Sequence, residues 1–238
     1  MALNALELMD LQARTLFVHD GEGRLRGVNE RSGGPPPLVF AGWTVDGTIL
    51  RFGPGASPDV IRRAESAAAG SPPWRAKTRG DDLAAALLEA VGGPGGALGY
   101  AGPAFHFPPA LFPPMGVVQL YPGHGHLLHP ALATLGPELR YRRPAFAVMR
   151  DGSAVSVCYS ARSSPGGAEA GVETAPGFRG RGCAAMAVDA WAQEVRAKGR
   201  VPFYSTSWTN AASLAVATKL GLLCFGEDIH FSAGPGYS

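Results

Sequence analysis

The stretch Gly171-Val172-Glu173-Thr174-Ala175-Pro176-Gly177-Phe178-Arg179-Gly180-Arg181-Gly182-Cys183-Ala184 reads as a strand, a glycine-containing loop and the first turn of a helix in unbroken succession. Pro176-Gly177 stops the strand. From Cys183 to Lys198, Ala184, Val188, Trp191 and Val195 recur at spacings of three and four, one apolar helical face, and Gly199 closes it. A helix entered this way leaves the N–H groups of its first turn without intrahelical partners, at the positive end of its macrodipole, where an anion and commonly a phosphate is attracted. Gly180 and Gly182 permit close backbone approach, and Arg179 and Arg181 add positive charge. A pyrophosphate is the natural occupant.

Upstream of this stretch, Ala145 to Arg150 and Ala154 to Ser160 predict a hairpin around Asp151-Gly152, and Ala168 to Thr174 a third strand. Downstream, Val201 to Ser207 predicts a strand, Asn210 caps a helix running to Leu220 with Gly221 past its end, and Leu222 to Phe231 is a final strand. The order β-β-β-α-β-α-β is that of an α/β sheet unit. The first part of the chain predicts an α+β region. Thr15 to His19 with Arg24 to Val28, and Phe40 to Val45 with Thr48 to Phe52, read as two hairpins; Ser57-Pro58 opens a helix ending at Gly70, and a second helix spans Asp81 to Val91, stopped by the glycine-rich run Gly92 to Gly96. Between Gly102 and Gly125, prolines and aromatics alternate, which predicts an extended connection. The expected division is an N-terminal region over residues 1–130 and a catalytic domain over 131–238.

Gly180-x-Gly182-x-x-Ala185 also satisfies the dinucleotide pattern. That pattern needs its first glycine directly after the strand and an acidic residue at the end of the next strand. Four residues, Pro176 to Arg179, intervene, and the next strand ends in Ser205-Thr206-Ser207-Trp208 with no carboxylate. A nicotinamide or flavin cofactor is set aside. Arg179-x-x-Gly182-x-Ala184 resembles instead the acyl-CoA pyrophosphate loop of the GNAT N-acetyltransferase superfamily, and Asn210-Ala-Ala-Ser213 followed by Lys219-Leu220-Gly221-Leu222 resembles that superfamily's next helix. The resemblance covers residues 145–231. Within the superfamily the Thr174 strand, the Trp208-Thr209-Asn210 junction and the Ala217 helix look most like the zwittermicin-resistance-type subgroup.

The resemblance implies a GNAT acyl-CoA N-acyltransferase fold, a mixed and splayed central sheet flanked by helices. It implies acetyl-CoA as acyl donor, no metal, and a small-molecule or peptide amine as acceptor. Pantetheine would lie between the strand Ala168 to Thr174 and the strand Val201 to Ser207, bonding backbone of Val172 and Thr174. Arg179, Gly180, Arg181, Gly182, Cys183, Ala184, Asn210 and Ser213 would complete the cofactor contacts. Direct transfer needs an uncharged amine, a donor for the tetrahedral oxyanion and a proton for the departing thiolate. Glu169 and Glu173 share one face of their strand by period two, and either can act as base. Many members carry a Tyr acid four residues before the helix-ending glycine, where this chain has Ala217. Tyr204, Ser205 and Ser207 are the substitutes by location. Ala217 also sustains a rival reading, a non-catalytic acyl-CoA sensor or partner-binding module.

Composition bounds the rest. The 238 residues include 21 Lys+Arg and 19 Asp+Glu, a net charge of +2, with 14 bases and 12 acids up to residue 150 and seven of each beyond it. Neither half holds the basic stripe of a nucleic-acid or membrane-surface protein. No run approaches the ~18 apolar residues of a membrane span, and Glu7 and Asp10 stand where a secretory signal carries bases. Cys158, Cys183 and Cys224 are odd in number and widely spaced, as expected of free thiols in a cytoplasmic protein. His124, His126 and His129 fall in a turn-like context that aligns no metal ligands. A monomer or homodimer is expected.

Overall fold

The computed structural model describes residues 3–75, 81–91, 96–109 and 116–233. In chain order the elements are α1 (Ala5–Leu16), β1 (Phe17–His19), β2 (Leu25–Val28), β3 (Val39–Thr44), β4 (Gly47–Phe52), α2 (Pro58–Gly70), α3 (Asp81–Val91), β5 (Gly96–His106), β6 (Val117–Leu120), β7 (Ala145–Arg150), β8 (Ser153–Ser163), β9 (Gly167–Thr174), α4 (Cys183–Ala197), β10 (Val201–Ser205), α5 (Ala211–Lys219) and β11 (Leu223–Ala233). They build two compact units. The first comprises residues 1–105, 205–210 and 224–238, the second residues 106–204 and 211–223.

In the first unit the strand order is β4-β3-β11-β5. β3 pairs antiparallel with both β4 and β11. Alternation along β3 sends Val39, Ala41 and Trp43 into an apolar core with Val60 and Ala64 of α2 and Leu83 and Leu87 of α3. The opposite face takes α1. Met9 lies so close over Gly42 that a Cβ there would come within 2.2 Å of the Met9 side chain. α2 begins where its sequence says it should, with the Ser57 side chain accepting from the Val60 N–H and Pro58 in the first turn.

The structure departs from the sequence expectation at three places. Residues Ala5 to Leu16 form a helix, so the strand expected from Thr15 shrinks to Phe17–His19; a capping box explains the start, with Asn4 accepting from the Glu7 N–H and Glu7 from the Asn4 N–H. The stretch expected as an extended connection contains the end of β5, all of β6 and a 3-10 turn at His124–Leu127. Gly99, Gly102 and Pro103 disguise β5 as irregular chain, yet Gly102 is there because a Cβ would meet the Thr206 carbonyl oxygen at 2.0 Å. Phe112, Pro113 and Pro114 lie outside the described residues, as do Gly92 to Gly95. Finally, β10 ends at Ser205 rather than Ser207.

In the second unit the order is β10-β9-β8-β7-β6, with β9 and β10 parallel and the remaining pairs antiparallel. α4 packs on one face of β7, β8 and β9. Its Trp191 is fully buried, and the indole N–H donates to Ser160 Oγ at 3.1 Å, which satisfies the one polar atom the ring brings inside. Phe107 is buried beside Trp191 at a ring separation of 6.1 Å, and Arg196 donates to the Phe107 carbonyl. The other face is covered by Leu128, Leu132, Leu135 and Leu139 from short 3-10 turns, packed with Ala145, Val157 and Tyr159.

Candidate functional site

The loop between β9 and α4 is built from two left-handed glycines, Gly180 at φ +73° and Gly182 at φ +80°. Gly182 is the N-cap of α4, and its carbonyl accepts the first helical bond, from the Met186 N–H at 3.2 Å. The N–H groups of Cys183, Ala184 and Ala185 therefore have no intrahelical acceptor. Arg179 sits at the mouth of this loop, exposed, with its Nε donating to the Thr174 carbonyl at 3.2 Å. The Arg181 guanidinium lies 5.6 Å over the Phe178 ring, whose edge meets the His129 ring at 5.9 Å. Cys183 is buried at the helix start, so its thiol serves packing.

A further cation stands at the same point. A Cβ on Gly182 would lie 2.5 Å from Lys219 Nζ, which places the ammonium at the end of α5 directly beside the helix N-terminus of α4. In the sequence Lys219 stands only as the base two residues before the helix-ending Gly221, with nothing to mark it for the site. The available signal was a base in the last turn of α5.

β9 and β10 are in register only for Val201 with Gly167, Pro202 with Ala168 and Phe203 with Glu169. From Ala170 to Thr174, β9 continues alongside β8 alone within this unit. The Ala175 N–H donates to the Val155 carbonyl at 2.9 Å, which fixes the alternation. Gly171 and Glu173 hydrogen-bond toward β8, while the backbone groups of Val172 and Thr174 turn toward the β10 side. A splayed edge with outward N–H and C=O groups can take an extended, amide-containing chain as a further strand.

The side chains divide between faces. Ser156 Oγ and Thr174 Oγ1 share a 2.7 Å bond on the face that α4 covers. On the opposite face lie Glu169, Gly171 and Glu173, and the Tyr159 phenol donates to Glu173 Oε1 at 2.8 Å. Burial, and then the Glu173 carboxylate, push the Tyr159 phenol well above its ordinary range. Glu169 is 5% exposed and belongs to the last zipped pair, whereas Glu173 is half-buried on the splayed segment. Alternation along β10 puts Tyr204 on the face away from Phe203 and Glu169. Its phenol shares a 2.5 Å hydrogen bond with Ser213 Oγ on α5. Burial pushes this phenol up to about 12, with the Ser213 bond opposing and nearby Cys158 and Glu169 adding to the rise.

The second unit thus brings together Glu169, Val172, Glu173, Thr174, the loop Arg179 to Ala184, Tyr204, Ser213 and Lys219. Ser207 and Asn210 belong to the first unit. There Ser207 Oγ pairs with Thr209 Oγ1 at 3.1 Å, and the Asn210 N–H donates to the Ser207 carbonyl at 3.0 Å. Among the described residues no group of three or more His, Cys, Asp or Glu could hold a metal ion, and no helix is long and apolar enough to cross a membrane. The three clustered histidines make separate local contacts: His124 edge-on to Tyr121, His126 with the Gly123 carbonyl, His129 accepting from the Ala131 N–H.

Residues 144–227 match the GNAT acetyltransferase family model. No curated protein matches the chain. Among solved structures, the chain is similar to a GNAT-family protein from Novosphingobium aromaticivorans, at 24% identity over 60% of this chain and 69% of that one, with a TM-score of 0.46. It is similar also to a GCN5-related N-acetyltransferase-like protein from Streptococcus suis, at 18% identity over 83% and 84%, TM-score 0.47. A third likeness is to the aminoglycoside N-acetyltransferase AAC(6′)-Iy in complex with CoA, at 24% identity over 44% and 89%, TM-score 0.36.

Proposed function

Residues 144–227 are a GNAT acetyltransferase domain, and from that premise we propose that the protein transfers an acetyl group from acetyl-CoA to the primary amine of a small molecule or peptide, by direct attack in a ternary complex. The observation that carries this reading is the cradle at Gly182, where unpaired N–H groups of α4 and the Lys219 ammonium meet at one point. The donor's diphosphate binds there, contacted by Arg179 through Ala184, with Ser213 as a further contact. Its pantetheine lies along β9 against the backbone of Val172 and Thr174.

Two faces then hold two kinds of proton chemistry. Glu173 takes the proton of the attacking amine, because it is the carboxylate on the splayed part of β9; Glu169, zipped and buried, acts on it only at a distance. A β9 N–H stabilises the tetrahedral oxyanion. Tyr204, a phenol whose ordinary value of about 10 already keeps it protonated at neutral pH, donates to the departing thiolate and takes the place of the acid that Ala217 cannot supply. The amine lone pair forms the C–N bond as the carbonyl π pair moves onto oxygen, the amine's proton passes to Glu173, and collapse of the tetrahedral oxyanion then breaks the C–S bond and releases the thiolate that Tyr204 protonates.

Ala217 is buried and carries no proton, so the non-catalytic acyl-CoA sensor remains the second reading. Release of free thiol from acetyl-CoA against a panel of amines separates the two. Turnover that collapses in Glu173→Gln supports the enzyme. Calorimetric binding of CoA without turnover on any amine supports the sensor, and absence of CoA binding overturns both.

A further inference from the structure

We propose that Tyr159 is a positioning residue that holds the Glu173 carboxylate in its working orientation, and that Gly171 is glycine to let it do so. The inference rests on the catalytic reading of Glu173. Tyr159 and Gly171 are directly opposite each other on β8 and β9. A Cβ at position 171 would stand 2.4 Å from Tyr159 Cε2 and 2.9 Å from its Cζ. No real side chain tolerates that separation, so the ring can lie across β9 only because the residue beneath it has none. Crossing there carries the phenol to the next residue on the same face, where it donates to Glu173 Oε1 at 2.8 Å.

Other contacts lock the ring. The Arg142 guanidinium lies 4.6 Å over it, and Ala145, opposite Tyr159 on β7, is small enough to leave it room. Its exposure is 6%, yet its only polar atom is committed to a carboxylate on a half-buried segment. Sheet cohesion does not require that bond, since β8 and β9 are already paired from Ser156 with Thr174 to Ser163 with Ala168. What the bond does is fix one oxygen of Glu173 and leave the other, Oε2, in a defined direction for an incoming amine.

The test is kinetic. Tyr159→Phe keeps the ring, its stacking with Arg142 and the space over Gly171, and removes only the donor. A hydrogen bond to a charged group lost in this way lowers kcat about tenfold or more, while KM for acetyl-CoA stays within about twofold. Gly171→Ala, which removes no functional group but drives a Cβ into the space of the Tyr159 ring, should lower kcat by at least as much. In the Glu173→Gln background, adding Tyr159→Phe should cost less than about twofold, because the group it positions is gone. Wild-type kcat in Tyr159→Phe, or an equal loss in both backgrounds, overturns the proposal while leaving the acetyltransferase reading intact. A wild-type chain that binds CoA but acetylates no amine, or a Glu173→Gln variant with full activity, overturns the catalytic reading and this proposal together. Thermal midpoints and CoA calorimetry on every variant identify a loss due to misfolding.

Discussion

Gly182 combines a left-handed backbone with a crowded side: φ is +80°, and the Lys219 ammonium occupies the space that a side chain would need. Gly199, at the other end of α4, has a similar φ of +72° with nothing near it. The pair separates strain from site. Gly182→Ala and Gly199→Ala should each cost about 1–2 kcal/mol of stability from the left-handed conformation alone, but only Gly182→Ala should weaken CoA binding, by tenfold or more in calorimetry. Equal CoA affinity in the two variants would remove the diphosphate from this loop. Lys219→Met should weaken CoA binding mainly at low ionic strength, since a partly screened charge is lost. Tyr204 makes a pH prediction. Its folded value of about 12 lies above the ordinary value of 10, so the folded state holds the proton more tightly than the unfolded one. The stability this supplies is complete below pH 10 and is lost as pH rises from 10 through 12. Urea unfolding at pH 9 and pH 11.5 should show a drop of order 2 kcal/mol, given a two-unit shift on a mostly buried group, and the drop should shrink in Tyr204→Phe.

At the scale of elements, β9 is a strand with one zipped edge and one edge that opens beyond Glu169. Val172 presents its N–H toward the open side, so Val172→Pro removes a donor that β8 does not use, and the preceding Gly171 accepts the backbone restriction that proline imposes. The variant should fold with a modest fall in thermal midpoint and bind CoA at least tenfold more weakly. A large loss of stability with unchanged CoA affinity would mean that pantetheine does not run along this edge. The loop, α4 and the hairpin of β7 and β8 were legible because each is written locally: helical period three and four, Asp-Gly at a turn, Pro-Gly at a stop, glycine where φ is positive. α1 was equally legible in principle, through Asn4 and Glu7 three residues apart. β5 was not, because Gly99, Gly102 and Pro103 look like loop chemistry until the Thr206 carbonyl beside Gly102 is seen. Lys219 shows the same limit at the site, since its distance in sequence from Gly182 gives no hint that the two meet. That Glu169 and Glu173 share a face was readable from period two; that one is zipped and the other splayed depends on where the β9–β10 register stops.

The whole chain does not divide at one point in sequence. β11, the last strand, lies between β3 and β5 in the first unit, and residues 205–210 join it there, although the chain segments leading into both belong to the second. Its six registered pairs with β3 bury Ile229 and Phe231 among Val39, Ala41 and Trp43, so the core of the first unit closes only when the C-terminal strand arrives. Nothing local in Leu223 to Ala233 names β3 as its partner; the pairing is a long-range choice. A fragment of residues 1–130 would therefore present β3 with an unpaired apolar edge and leave Trp43 without the β11 side of its core, the condition that promotes strand-to-strand aggregation. Expressed alone, that fragment should be recovered as aggregate or without cooperative unfolding, and co-expression with residues 131–238 should restore soluble material that unfolds cooperatively in urea. Truncation of the full chain after Leu222 should reproduce the defect of the 1–130 fragment. A 1–130 fragment that is monomeric, with a sharp urea transition of its own, would show that β11 is dispensable to the unit it completes, and its pairing with β3 would then be an accessory to that core rather than part of it.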